Sequence, residues 1–262
     1  MSAPYSLWQL TAYMAKLGAV GFGGMGPKAT YRSRTYVRKG RVARTPRVPG
    51  VRLERALLED GAELVGGIDE VGVGAWAGPL AVGAVVLRPD RRIYKIRDSK
   101  LLDPGRREFL AARVQQSCLA WSIGLTWPDE IDAVGLSEAQ RRAAARALAG
   151  LAVAPDVFLV DGKWNFIGAG ARMVVRGDCE SVSIAAASIV AKVARDSLMC
   201  KLSDHYPFYE LASNKGYPSP RHKWALAAFG PCPIHRRLFA PVQKLLDEGV
   251  PGRLLPPGRP GP

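Results

Sequence analysis

Four carboxylates stand where an apolar run gives way to glycine. Asp69 and Glu70 close the run Leu64-Val65-Gly66-Gly67-Ile68, with Gly72-Val73-Gly74 just beyond them. Asp161 closes Val157-Phe158-Leu159-Val160 and precedes Gly162, and Asp178 follows the run Ala171–Val175 by way of Arg176-Gly177. If these runs are neighbouring strands, their acidic ends converge on one edge of a sheet. Like charges at close range raise one another's pKa, so four such groups stay ionised together only around a cation. Hard divalent ions take all-oxygen ligands, and Mg²⁺ in particular combines a few carboxylates with water and substrate phosphate. Two ions about 3.5–4 Å apart would bracket a scissile phosphodiester. Asp-Gly and Gly-Asp are also ordinary turn dipeptides; what favours a shared site is that three acid-ended segments occur in one domain.

Placing these groups makes demands on the elements that carry them. Adjacent side chains on a strand point to opposite faces, so Asp69 and Glu70 can serve one centre if the strand ends or bulges there, as the following glycines allow. The spacing of Leu53, Ala56, Leu57 and Leu64 predicts a short amphipathic helix leading into a first strand over 64–69, and Leu80–Leu87 reads as a second. Pro104 suits the first turn of a helix over 105–117. A strand is expected over 119–127, and an alanine-rich helix over 137–151 capped by Ser137. After the strands ending near Asp161 and Val175 comes Ser181–Leu202, whose small residues predict a helix packed tightly on the sheet. A looser region follows, holding Asn214-Lys215-Gly216-Tyr217 and a helix near 221–229. Strands alternating with helices give an α/β class with a mixed sheet.

Bulk composition narrows the function. The chain has 262 residues and a net charge of +14, which suits a polyanionic partner. Residues 1–53, however, contain ten Lys or Arg and no Asp or Glu, so the remainder carries only +4. Residues 1–50 have no core-building pattern and are expected to be a basic disordered extension, either an inert tail or sequence ahead of the working start. Residues 51–248 are the expected catalytic domain, and 249–262 a disordered Pro/Gly-rich tail. The uninterrupted apolar runs are too short for a membrane span. Four scattered cysteines without C-x-x-C predict reduced thiols in the cytoplasm, and the three histidines form no zinc-hydrolase motif.

The blocks GIDEVGVGAWAGP, RDSKLL, FLVDG, RGDCESVSIAAASIVAKVARD, NKGY and GPCPIHRRLF occur in that order between Val51 and Val242. Together they resemble type 2 ribonuclease H, specifically the bacterial ribonuclease HII family. The resemblance implies an RNase H-like mixed sheet flanked by helices, with a small C-terminal helical region. It implies a monomeric endonuclease that cleaves the RNA strand of RNA–DNA hybrids. It also implies nicking of duplex DNA 5′ to an embedded ribonucleotide, leaving a 3′-hydroxyl and a 5′-phosphate, with Mn²⁺ or Mg²⁺ at a two-metal site. Carried over by position, Asp69, Glu70, Asp161 and Asp178 are the metal-binding catalytic carboxylates. Tyr217 is the tyrosine that stacks on the sugar at the junction, and Gly72, Val73 and Gly74 are the tripeptide that reads the 2′-hydroxyl. Ser99, Lys100, Lys192, His235 and Arg236 fall in blocks expected to line the substrate path, where a phosphate contact and a solvated charge are equal alternatives.

One position departs from the family, which has Gly-Arg-Gly where this chain has Gly72-Val73-Gly74. Losing a guanidinium that contacts phosphate costs about 1.5–3 kcal/mol, so weaker substrate binding or an altered junction preference is expected. Two other classes compete: a catalytically weakened hybrid-binding protein, and a dinucleotide-binding enzyme using the Gly72–Gly78 glycines. Asp69-Glu70 at the mouth of such a glycine loop would repel a pyrophosphate.

Overall fold

The run Val65–Val71 forms β1, the middle strand of a five-stranded sheet, and all of its residues but Glu70 are buried. A strand covered on both faces needs no alternation of polar and apolar residues. That explains the almost wholly apolar β2, Leu80–Val86, beside it. A computed structural model of the chain describes residues 48–90, 96 and 102–249. These lie in one of two compact units into which the chain divides, Arg47–Pro262.

The sheet order is β3-β2-β1-β4-β5, with β3 at Ala120–Thr126, β4 at Val157–Asp161 and β5 at Ala171–Val174. Strands β1, β2 and β3 pair antiparallel, whereas β4 and β5 run parallel to β1. The parallel pairing sets Ile68 beside Val160, so the next residues, Asp69 and Asp161, come side by side where β1 and β4 stop pairing.

Helix α1 is Arg52–Glu59, α2 Pro104–Ser117, α3 Pro128–Val134 and α4 Leu136–Ala149. A four-residue α5, Gly177–Glu180, leads into the long α6, Val182–His205. Short α7 (Leu211–Asn214), α8 (Pro220–Phe229) and α9 (Ala240–Glu248) complete the C-terminal region. Helices α6 and α4 cover opposite faces of the sheet: Val85 packs with Ala185, Ala186 and Ile189 of α6, while Ile68, Val82 and Ala84 pack with Ala139, Ala143 and Ala147 of α4. Both approaches depend on glycine. A Cβ at Gly67 would overlap the Ser183 carbonyl group, and one at Gly124 the carbonyl oxygen of Ala143.

The long helix is also held from a distance. The buried Glu54 of α1 accepts hydrogen bonds at one oxygen from the Ser181 hydroxyl (2.6 Å) and the Ser183 amide (2.9 Å). This satisfies donors of the first turn of α6 that the helix itself cannot pair.

The structure differs from the sequence expectations at three places. Strand β1 neither ends nor bulges at the acidic pair but stays in register through Glu70↔Val82 and Val71↔Ala81, because β2 is long enough to pair it that far. Ser137 does not cap its helix: α4 starts at Leu136 after Gly135, whose positive φ of 79° turns the chain out of the preceding α3. Asp178 lies not at a strand end but in α5, after Arg176 in the left-handed conformation. Among the described residues, no helix is long and apolar enough to cross a membrane.

Candidate active site

Asp69 points to the α6 face of the sheet and is only 5% exposed. Its Oδ1 accepts the Glu70 amide at 2.8 Å, and the buried Ser188 of α6 hydrogen-bonds its carboxyl. Burial holds the Asp69 carboxyl well above the ordinary carboxylate range. The neighbouring charges of Glu70 and then Asp161 push the same way, against the two hydrogen bonds. Alternation puts Glu70 on the opposite face of β1, yet its carboxylate lies close enough to act on Asp69. Asp161, at the end of β4, accepts the Gly177 amide at 2.6 Å. Asp178, the residue after Gly177, is also 5% exposed. The edge formed by β1 and β4 thus brings Glu70 and Asp161 within electrostatic reach of Asp69, and Asp178 follows the Gly177 amide that Asp161 accepts.

The donor set suits a hard divalent cation, since all of its ligands are carboxylate oxygens. The crowding that raises Asp69 is what such a cation relieves. Among the described residues, however, no three His, Cys, Asp or Glu side chains stand close enough to hold one ion as placed.

Beside this edge lies the loop between β1 and β2. Gly72 is buried, Val73 half-buried and Gly74 exposed. The Val73 side chain packs against the apolar cluster under α4. Two fully buried arginines hold the loop by its carbonyls. Arg236 donates to Gly78 and Val73, both at 2.9 Å. Arg195 of α6 donates to Pro79 at 2.8 Å and to the Lys215 carbonyl at 2.9 Å. The amides of Trp76 and Ala77 donate to the Gly216 carbonyl at 2.8 and 3.2 Å. The Asn214–Tyr217 turn is thus bonded directly to the glycine loop. Tyr217 is 37% exposed, and the Arg195 guanidinium lies 5.6 Å from the centre of its ring.

The remaining expected contacts separate. Ser99 and Lys100 lie outside the described residues. Lys192 is partly buried and paired with Asp196 at 2.7 Å, an interaction that a phosphate would have to displace. His235 and Arg236 are 3% and 0% exposed. A phosphate cannot reach groups with so little surface, so the expected direct contact gives way to a role under the loop. Three residues escaped the sequence reading: Glu54, Ser188 and Arg195. Only spacing hinted at the last two. Ser188 and Arg195 fall with Ala191 on one stripe of an otherwise small and apolar helix face, where a polar side chain has to have a buried partner.

Comparison with known proteins settles the relationship. The family model described as Ribonuclease HII matches residues 66–242. The chain belongs to the ribonuclease HII family. A ribonuclease HII from Koribacter versatilis is 45% identical over 189 residues, 72% of this chain and 74% of that protein. One from Nitrosococcus oceani is 46% identical over 184 residues, 70% of this chain and 92% of that one. Among solved structures, ribonuclease H2 from Pyrococcus horikoshii is similar with a TM-score of 0.62 and 31% identity, covering 71% of this chain and 98% of that chain. With the family come the RNase H-like fold and metal-dependent ribonuclease H activity on RNA–DNA substrates.

Proposed function

We propose that Asp69, Glu70, Asp161 and Asp178 are the catalytic carboxylates of an endonuclease. It cuts the RNA strand of hybrids and nicks duplex DNA 5′ to an embedded ribonucleotide. The observation that carries this reading is the convergence of Asp69 and Asp161 on adjacent parallel strands, just past their last paired residues Ile68 and Val160, close enough for the charge of Asp161 to raise the pKa of Asp69. Two divalent ions, Mg²⁺ or Mn²⁺, held there would supply Lewis-acid activation of a water and charge stabilisation at the leaving 3′-oxygen. The chain's own residues do the rest. Ser188 and the Glu70 amide fix one face of Asp69, and the Gly177 amide fixes Asp161, so that the remaining oxygens are turned to ligand and substrate. The backbone of Gly72 and Gly74 approaches the ribose and reads its 2′-hydroxyl, while Tyr217 offers an aromatic face to the sugar, the two features by which a protein tells RNA from DNA.

The working unit in this reading is residues 51–248. It acts as a monomer in the cytoplasm, with residues 1–50 and 249–262 as extensions. The test is cleavage of an end-labelled duplex carrying one ribonucleotide, and of a continuous hybrid, with Mg²⁺, Mn²⁺ or chelator. The full chain, a chain starting at Val51 and Asp161→Asn are compared. A single nick 5′ to the ribonucleotide is expected from both wild-type lengths and none from the variant. Tight hybrid binding without cleavage in any metal would favour the weakened-binder reading, for which Val73 is the supporting observation.

A further inference from the structure

Beneath the Tyr217 turn, two buried histidines lie nose to nose. His222 is 0% and His235 3% exposed, and their Nε2 atoms are 3.0 Å apart. The contacts around them allow one arrangement of protons. His222 Nδ1 lies 2.9 Å from the Tyr217 carbonyl oxygen, which can only accept, so Nδ1 carries the hydrogen. In a neutral ring its Nε2 is then an acceptor, and the hydrogen between the rings belongs to His235 Nε2. That leaves His235 Nδ1 as an acceptor, and it meets two donors of Cys232, the backbone amide at 3.0 Å and the thiol at 3.1 Å; the Cys232 carbonyl oxygen, farther off at 3.3 Å, already accepts the His235 amide at 2.9 Å. These tautomers are fixed by the hydrogen-bond network. The result is a one-way relay from Cys232 through His235 and His222 to the backbone of Tyr217.

The relay ties down segments that the rest of the site uses. His235 forms an isolated bridge with Ala77 of the glycine loop, and the Ile234 carbonyl accepts the Gly78 amide at 2.8 Å. The Tyr209 ring packs edge-on to His235, 4.8 Å between ring centres, and its hydroxyl donates to the Gly230 carbonyl at 2.7 Å. A histidine is a rigid linker with one donor and one acceptor on opposite sides, and two in series span the gap between the C-terminal segment and the turn without a water or a charge.

We propose that His222 and His235 are positioning residues for Tyr217: their relay fixes the Tyr217 backbone, and thereby the height of its ring, relative to the glycine loop. The inference rests on the reading of Tyr217 as the residue that meets the ribose. Neither histidine touches substrate, and both act through the tyrosine.

The test compares His222→Asn and His222→Gln on the single-ribonucleotide duplex in the full chain, each also made with Tyr217→Ala. Asn places an amide near Nδ1 and keeps the bond to the Tyr217 carbonyl. Gln reaches towards His235 and loses it. His222→Gln is expected to lower kcat/KM about tenfold, the worth of one buried hydrogen bond, and His222→Asn distinctly less. In the Tyr217→Ala background both effects are expected to vanish, because positioning a ring that is absent does nothing. Equal losses in Asn and Gln, or losses that persist additively without the ring, would overturn the relay and leave His222 a packing residue. If Tyr217→Ala alone changes nothing, the reading of Tyr217 fails, a result distinct from additivity. Should His222→Gln not fold, His235→Asn, whose shorter amide stays on the Nδ1 side near Cys232, takes its place. It removes the donor to His222 while leaving the turn's own bond, and a smaller loss of the same kind, again absent without the ring, is expected. An unchanged kcat/KM would count against the relay.

Discussion

The acidic edge and the loop–turn region beside it are built on opposite principles. At the edge, burial and then the neighbouring charges of Glu70 and Asp161 oppose the ionisation of Asp69. In the loop–turn region the polar groups are bonded to one another: two buried arginines on backbone carbonyls, two neutral histidines in series, and loop amides on the Gly216 carbonyl. One region stores repulsion that a cation relieves, and the other is preorganised by the protein alone. Chemistry and recognition should therefore fail separately.

The sharpest test of that separation is Asp161→Asn. It removes a charge from the edge but can still accept the Gly177 amide, so kcat should fall by at least about 10²–10³-fold, the scale of removing one transition-state stabilising group. Substrate affinity measured with Ca²⁺ or without metal should stay within a few-fold, and a comparable loss of affinity would break the comparison. Tyr217→Ala strikes the other region. Stacking on one nucleotide is worth about 1–3 kcal/mol, so kcat/KM on the single-ribonucleotide duplex should drop roughly 5- to 150-fold. The ion concentration giving half-maximal rate should not move.

Val73→Arg runs in the opposite direction. The Val73 carbonyl is anchored by Arg236 whatever the side chain is, so an arginine there should add a phosphate contact without reshaping the loop. A gain of about tenfold in affinity is expected, with kcat unchanged. Equal binding by the two proteins, measured by titration of a labelled duplex, would mean the loop has no phosphate within reach. The smallest effect is on stability. Burial, then the neighbouring His222, depresses His235 to about 3 from the usual 6.5, and burial also lowers His222. Below pH 6.5 the unfolded chain binds protons that the folded one refuses. Stability should therefore be constant above that pH from this source and decline as pH falls from 6.5 towards 3. Thermal melts across that window should show a shallower decline for His235→Gln than for wild type.

Much of the acidic edge was legible in the sequence, because burial on both faces of β1 leaves a local mark: apolar runs, then acid, then glycine. The same logic predicted the tight packing of α6, whose alanines and serines meet Gly67 and Gly83. Helices α3 and α9 were not read, because they bury only Pro128 and Ile131 and only Val242 and so carry little apolar periodicity. The support under the loop was hidden for a related reason. Arg195, His235 and Arg236 look in sequence like charges or polar groups bound for solvent. What holds the two arginines is a set of backbone carbonyls up to 163 residues away in the chain, and a carbonyl has no letter of its own; the His235 ring meets His222 and Cys232. Val73 was read as a lost contact, whereas its side chain fills a place in the apolar cluster.

Glu54 lies twelve residues ahead of the first position matched by the family model. Its carboxylate plugs the start of the helix that carries Ser188 and Arg195. A fragment trimmed to residues 66–242 would retain all four acidic groups and the Ser181 cap of that helix, but it would lose the carboxylate that accepts the Ser183 amide. A shortened form that begins upstream of α1 keeps that bond.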